Sequence, residues 1–483
     1  MSHSFDPTQL ADLLRSLSRS GARYSDARAT TTERQLVRVR NHRVDVISST
    51  VDHAVGVRVL AGNGWGFAST SDARNHEALE ITAQRALSLA RASHLIGSPI
   101  SFPDSDAVSA SWASSYLIDP WSISLEMKIE YLLAAIEPIG TDPRIHQAVG
   151  EISSYRQQKL FVSSAGSIIH QTATEMGGGI EAHAMAGNDY QRRTYPNPFG
   201  GDYQARGWEF IEGLDLRGNA SRIRDEAIAL LDAPKAPAGT FDLVIGSSQL
   251  ALQVHESCGH AAELDRALGY EVSLAGGSFL DPSMLGTFHY GSPGVTIVAD
   301  ATIAGSIGSF GFDDEGNKAQ RFPLVERGIF VDFLTGRESA ARIGRDASNA
   351  TVRAESASRL PLIRMTNINL EPGTASLDEI IASTRNGIFI DTNKSWSIDD
   401  RRLNFQFGCE VGFAIENGRL GRLLKNPVYG GSTPSFWRSC DLVGDRASWQ
   451  LWGLPNCGKG EPLQTMRVAH GAPAARFLGV EMR

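Results

Sequence analysis

The segment His255-Glu256-Ser257-Cys258-Gly259-His260 places two imidazoles and a carboxylate within six residues. Neutral imidazole is a good zinc ligand, and a carboxylate beside a bound metal can take a proton from water. The form is H-E-x-x-x-H. Histidines four apart lie about 40° apart around an ideal helix, whereas histidines five apart lie about 140° apart. Two rings so placed cannot face one small ion from a regular α-helix. A one-turn π-bulge brings such residues together. Gly259 lacks a Cβ, so it tolerates unusual dihedrals and the close approach of another segment. The spacing therefore predicts a distorted or widened turn at residues 257–260. The competing reading is a buried helix with two hydrogen-bonded histidines. With 12 histidines in 483 residues, chance gives this pattern in about one or two chains per hundred.

A catalytic zinc normally has three protein ligands and an open position. The third-ligand candidates are Cys457, Cys258, Asp265 and Glu263, and the sequence leaves them open. Cys457 lies in Leu454-Pro-Asn-Cys-Gly-Lys-Gly460, read as a tight glycine turn that presents a thiolate, the strongest zinc ligand on offer. A lone cysteine is also commonly buried and inert. Cys258 is expected to point away from the metal. Asp265 suits either coordination or the support of a ligating imidazole. Two other chemistries have footholds. Cys457 with a histidine such as His470 suggests a cysteine nucleophile, though such pairs are common by chance. The glycine-rich stretch Gly305–Gly311 lacks the lysine of a P-loop and reads as a loop or bulge.

The whole-chain balance narrows the field. The formal net charge is -8, which argues against a nucleic-acid binder. Arg337 to Arg345 is expected to be solvated surface. The start, MSHSFDPTQL, lacks a basic beginning followed by an apolar stretch, so no secretory signal is expected. No apolar run approaches the roughly 20 residues of a membrane helix. The four cysteines, Cys258, Cys409, Cys440 and Cys457, are too few for a disulfide framework and fit reduced thiols in a cytoplasm.

The elements that must position these groups follow from local pattern. A chain of this length suits two domains. Asp6 can cap a first helix that begins at Pro7, carries Leu10, Leu13, Leu14 and Leu17 on one stripe, and ends at Gly21. Gln35–Arg40 and Val44–Ser48 alternate as strands, and Val55–Leu60 with Trp65–Ser69 flank a Gly-Asn-Gly turn, a hairpin. Helices are expected near 73–92, 124–136 and 220–231, with strand-like sequence at 160–174. Asp232 to Gly239, with two prolines, reads as a linker. The expected domains are therefore 1–235 and 236–483. The second opens with a strand, Phe241–Ile245, and Ser247 or Ser248 is expected to cap the helix that carries the histidines. Short strands with glycine-rich turns follow. They are interrupted by a helix with a capping box at Ser376 to Glu379, with Gly387 following its end. The fold class is α+β with largely antiparallel sheets.

The motif resembles the signature of the TldD/PmbA family of metalloproteases. Further likeness lies in Gly56-Val-Arg-Val-Leu60, Gly64-Trp-Gly-Phe-Ala-Ser-Thr70, Asp313-Asp-Glu-Gly316, Arg364-Met-Thr-Asn367 and Cys457-Gly-Lys459. These landmarks span nearly the whole chain in the expected order. The resemblance implies zinc on His255 and His260, a third ligand from Cys457, and Glu256 as the catalytic carboxylate. It implies an N-terminal α/β domain with antiparallel sheet and packed helices, then a β-rich C-terminal domain carrying the metal-binding helix. It implies cleavage of unfolded or short peptides by a TldD-type subunit. Such subunits pair with a TldE or PmbA partner that lacks the motif, and some relatives form homodimers. The alternative is a non-catalytic peptide-binding or partner subunit whose metal is structural, closed by a fourth ligand such as Cys258 or Asp265. Two departures stand out. Ser-Cys-Gly separates the histidines where family members often have Ala-Val-Gly, which puts a second, oxidation-sensitive thiol nearby. Pro455-Asn456 also replaces a more glycine-rich lead into Cys457.

Overall fold

The computed structural model describes residues 5–274 and 276–483. The first four residues of the N-terminal segment read above lie outside that range. The first helix, Pro7–Arg19, forms as its punctuation dictates. Asp6 Oδ1 accepts from Thr8 N at 2.8 Å, the four leucines are buried, and Gly21 leaves the helix at φ +93°. The hairpin also forms, from Arg43–Ala61 and Gly64–Thr70. The helix His76–His94 lies so close to it that a Cβ at Gly66 would overlap Ala86 O.

Among the described residues, eight strands make one N-terminal sheet. Its spine is Gly64–Thr70, Arg43–Ala61, Tyr24–Arg40, Ile145–Ser163 and Ile168–Ala186, all antiparallel. Ser109–Ala113 joins it in parallel. The strands expected at Gln35–Arg40 and Val44–Ser48 are parts of far longer ones. The missed inner half, Tyr24–Thr32, is polar yet buried, because Asp26 pairs with Arg58 of the neighbouring strand and Arg28 lies by Asp314 of the C-terminal half, so the alternation rule does not register it. One helix pair, Pro7–Arg19 and His76–His94, packs on Val55, Val57 and Val59. Another, Leu125–Ile136 and Leu216–Asp232, packs on Val37, Val39, Ile152 and Ile180.

Residues 232–239 leave the last of these helices and pair with Lys425: Ala236 N donates to Lys425 O at 3.0 Å, and Lys425 N to Pro234 O at 2.9 Å. Gly239–Ile245 then enters a second sheet that closes on itself. Its order runs Asn386–Ile398, Gly239–Ile245, Ala475–Met482, Val428–Ser432 and Asn404–Glu416, and the last pairs back with the first. Strands here are longer than expected, reaching 13 residues. The fold is α+β with mainly antiparallel sheets.

Several local expectations are corrected. Neither serine caps the histidine helix Ser247–Val254. Ser247 Oγ donates to Ala472 O at 2.6 Å, and Ser248 Oγ donates to Asp391 Oδ1 at 2.9 Å. The same Asp391 oxygen accepts from Gln249 N at 3.2 Å, so a distant carboxylate supplies the cap. The capping box at Ser376 forms, but its helix ends at Ala382, and Gly387 lies within the strand Asn386–Ile398. Arg337 is not solvated. It is buried, stacks 3.9 Å over the Phe102 ring and donates to Pro103 O. The two halves meet through ion pairs: Arg58 Nη1 to Glu315 Oε1 at 3.0 Å, a buried pair that joins two of the landmark segments, and Lys159 Nζ to Asp314 Oδ1 at 2.7 Å.

Candidate metal centre

The helix Ser247–Val254 runs into a π turn, His255–Gly259, closed by His260 N donating to His255 O at 3.1 Å. The predicted widening is present. Each residue inside it has a physical reason. Ser257 Oγ donates back to Gln253 O and accepts from Trp437 Nε1 at 2.9 Å; such back-bonding bends helices. Cys258 turns into the core beside Tyr290, where burial pushes its thiol up to about 12, which disfavours the thiolate form that oxidation needs. Gly259 sits where any Cβ would overlap Met365 Sδ.

The widened turn brings the two rings to 4.8 Å between centroids. Their outer nitrogens are held. His260 Nδ1 donates to Glu263 Oε2 at 3.0 Å, and Arg266 Nε donates to the same oxygen at 2.7 Å. His255 Nδ1 lies 2.7 Å from His470 Nε2, and His470 Nδ1 lies 3.1 Å from Ile368 O. A carbonyl only accepts, so His470 Nδ1 carries a proton and Nε2 accepts from His255 Nδ1. Each motif histidine is thereby left with Nε2 as its lone-pair nitrogen. Burial pushes His255 down to about 4 and holds His260 below its usual value. Both are neutral imidazoles, the ligating form.

Cys457 completes the group. It is not in a glycine turn but on the strand Gln450–Lys459, at a bulge between Leu454 and Cys457, opposite Met466. Pro455 explains the bulge, since it has no N–H for the ladder. Its Sγ lies 3.7 Å from His260 Nε2. Burial opposes the thiolate, and the nearby Arg364 guanidinium favours it. Arg364 also grips the Cys457 carbonyl. Among the described residues, donor atoms of His255, His260 and Cys457 all lie within 4.8 Å of one another. Zinc bond lengths give tetrahedral edges of roughly 3.4–3.7 Å. Two imidazoles and a thiol are the donor types that ion takes, and the Sγ–Nε2 distance of 3.7 Å already matches such an edge.

The other ligand candidates are engaged elsewhere. Asp265 accepts from Lys459 Nζ at 2.7 and 2.8 Å, and Glu263 orients His260. His470 contacts His255, and the nearest imidazole to Cys457 is that of His260. Glu256 is buried, and its Oε2 accepts from Arg402 Nη1 at 2.9 Å. Arg402 itself has φ +63°, a strained position of the kind that gathers at functional sites. Sequence reasoning missed Arg402, Arg364 and the role of His470. His470 follows Cys457 on the next strand of the hairpin, the one signal for it, while Arg402 arrives from 146 residues away with no local mark.

Comparison with known families settles the kinship. Residues 238–483 match the PmbA/TldA metallopeptidase C-terminal domain, 25–90 match its domain 1, and 118–231 its central domain. The chain belongs to the PmbA/TldD metallopeptidase family. The family resemblance read from the motifs is borne out. Among relatives of this family, a protein named metalloprotease from Methanothermobacter thermautotrophicus is 29% identical over 94% of this chain and 94% of its own length. A metalloprotease TldD homolog from Haemophilus influenzae is 28% identical over 88% of this chain and 86% of its own. Among PmbA/TldD structures, TldE from Thermococcus kodakarensis shares the fold, with a TM-score of 0.71 and 17% identity, covering 98% of this chain and 99% of that one. No helix among the described residues is long and apolar enough to cross a membrane.

Proposed function

We propose that this chain is a zinc-dependent peptidase of the TldD type, with the metal on His255, His260 and Cys457 and Glu256 as general base. The observation that carries this reading is the convergence of donor atoms from two imidazoles and a thiol within 4.8 Å. Zinc held there supplies a Lewis acid that acidifies a water and polarises the scissile carbonyl. The chain's own residues do the rest. Glu256 takes the proton from the attacking water and returns it to the leaving amine. Arg402 holds Glu256 Oε2, which fixes the carboxylate before substrate arrives. Glu263 and His470 hold the imidazoles in one tautomer and one orientation. A structural metal would need a fourth protein ligand, and the engagement of Cys258 and Asp265 elsewhere favours the open, catalytic reading.

The substrate class is short or unfolded peptide, bound extended along a strand edge. We take 1–235 and 236–483 as the two units, since the open sheet lies in the first and the closed ring in the second. A TldE- or PmbA-like subunit is the proposed partner, with a homodimer as the alternative. Four free, buried cysteines support a reducing, cytoplasmic setting. The test is the metal content of the pure protein beside that of Cys457→Ser, with peptide hydrolysis measured before and after chelation and zinc return. Equal zinc in both proteins, or activity that survives chelation, refutes the assignment.

A further inference from the structure

A cavity of about 270 Å³ lies where the N-terminal sheet meets the C-terminal half. It adjoins the metal centre. Pro455, two residues before Cys457 on the same strand, and Met466, the cross-strand partner of Cys457, both line it. Two strand residues span about 6.6 Å. The cavity is at the low end for ligand pockets, so it suits one side chain or a chain end rather than a length of peptide.

Its lining is unbalanced in charge. Arg34, Lys159, Arg353 and Arg467 face it, against Glu175 and Glu355. Arg467 is paired with Glu175, Arg34 lies 3.6 Å from Glu355, and Lys159 lies 2.7 Å from Asp314. Arg353 is different. Only 8% exposed, it has no carboxylate within ion-pair distance among the described residues. Its guanidinium is gripped by the Met365 and Arg467 carbonyls, and its Nε has no hydrogen-bond partner. Burial and the nearby Arg364 draw it down to about 10, against an opposing pull from Asp314 and Glu175. Trp112, Phe310 and Phe312 supply an apolar wall, with the Phe310 ring 5.3 Å from the Arg353 guanidinium carbon.

We infer that this cavity is a substrate subsite that binds a peptide carboxylate at Arg353, with Arg34 at its rim. The inference rests on the peptidase reading above and adds a preference to it: peptides that end, or carry an acidic side chain, one or two residues from the scissile bond. A buried, fixed guanidinium in the cavity wall, with no carboxylate at ion-pair distance among the described residues, recognises a carboxylate by charge-assisted hydrogen bonding, and the aromatic wall accommodates the adjoining apolar atoms.

The test is calorimetric binding to the full-length, zinc-loaded chain carrying Glu256→Gln, so that peptides persist. The probes are N-acetyl-pentaalanine with a free carboxylate, the same peptide as its amide, and the N-acetyl-Ala-Ala-Glu-Ala-Ala amide. The free carboxylate is expected to bind about tenfold or more tightly than the neutral amide. A gain by the glutamate peptide assigns the site to acidic side chains as well, and no gain confines it to chain ends. Arg353→Gln removes the preference. Arg34→Gln, with a side chain 41% exposed and little burden on folding, reduces it. Equal binding of all three probes, or a preference unchanged in both variants, overturns the subsite. Cleavage of the neutral amide by the Glu256-intact chain alongside equal binding sinks the subsite alone. A carboxylate preference with no cleavage of any probe sinks the hydrolytic reading alone.

Discussion

His255 Nδ1 and His470 Nε2 lie 2.7 Å apart, and the second ring is fixed in turn by the Ile368 carbonyl. This relay dictates the tautomer of the first motif histidine. It leaves His255 Nε2 as a lone pair on the side of His260 and Cys457. A strand residue 215 positions away thus sets which nitrogen of His255 faces the cluster.

Removing that acceptor should loosen the site. His470→Leu is expected to weaken zinc binding about 10–100-fold, measured by competition with a zinc-binding dye. His470→Gln keeps an oxygen that can accept the same proton and should recover most of the affinity. Equal affinity in the Leu variant and the parent would show that the relay does not orient His255.

Glu256→Gln removes the base and leaves the three donors. Turnover of a peptide substrate should fall by about 10²–10⁴-fold, while zinc content stays equal to that of the parent. Retained turnover would remove Glu256 from the reaction.

Gly259 exists for Met365. Gly259→Ala should destabilise the metal-free protein by about 1–3 kcal/mol through overpacking, read as a shift in denaturant midpoint. Combining it with Met365→Ala should cost less than the sum of the two single changes. Strict additivity would place the cause elsewhere.

Asp202 gives a pH signature. Its Oδ1 accepts from Tyr203 N and Gly453 N, both at 2.8 Å, so it ties the N-terminal sheet to the cysteine strand. Burial raises its carboxyl from 3.8 to about 7. A raised folded pKa means the folded state holds the proton more tightly than the unfolded chain. Its stabilising contribution is full below about 4 and is lost as pH rises through about 7, by up to roughly 4 kcal/mol. Asp202→Asn keeps the acceptor without the charge. It should be more stable than the parent at pH 8 and nearly equal at pH 4, with metal removed from both. An unchanged pH profile would show that Asp202 does not titrate in this range.

The elements with strong local chemistry were legible in the sequence. The first helix and the hairpin at Gly62 and Asn63 needed only a cap, a stripe of leucines and turn residues. So was the π turn, because two imidazoles five apart can share an ion only if the helix widens. What failed were features fixed by distant partners. Ser247 and Ser248 look like caps, but Trp452, Ala472 and Asp391 claim their hydroxyls. Tyr24–Thr32 looks too polar for a buried strand, but Asp26 and Arg58 are paired inside the molecule.

The sequence by itself determined the family, the two motif histidines with their glutamate, and the widened turn between them, since these depend on residue type and short-range geometry. Residue chemistry left Cys457, Cys258, Asp265 and Glu263 open and the family resemblance pointed to Cys457; the tertiary structure brought its thiol beside His260 and supplied the contacts of His470, Arg364 and Arg402. Those choices turn on which side chains the fold brings together across some ninety residues or more, with Cys457 and His470 on a two-stranded hairpin outside the closed ring. Hydrogen bonds and charges act over a few ångströms of space and carry no trace of separation along the chain.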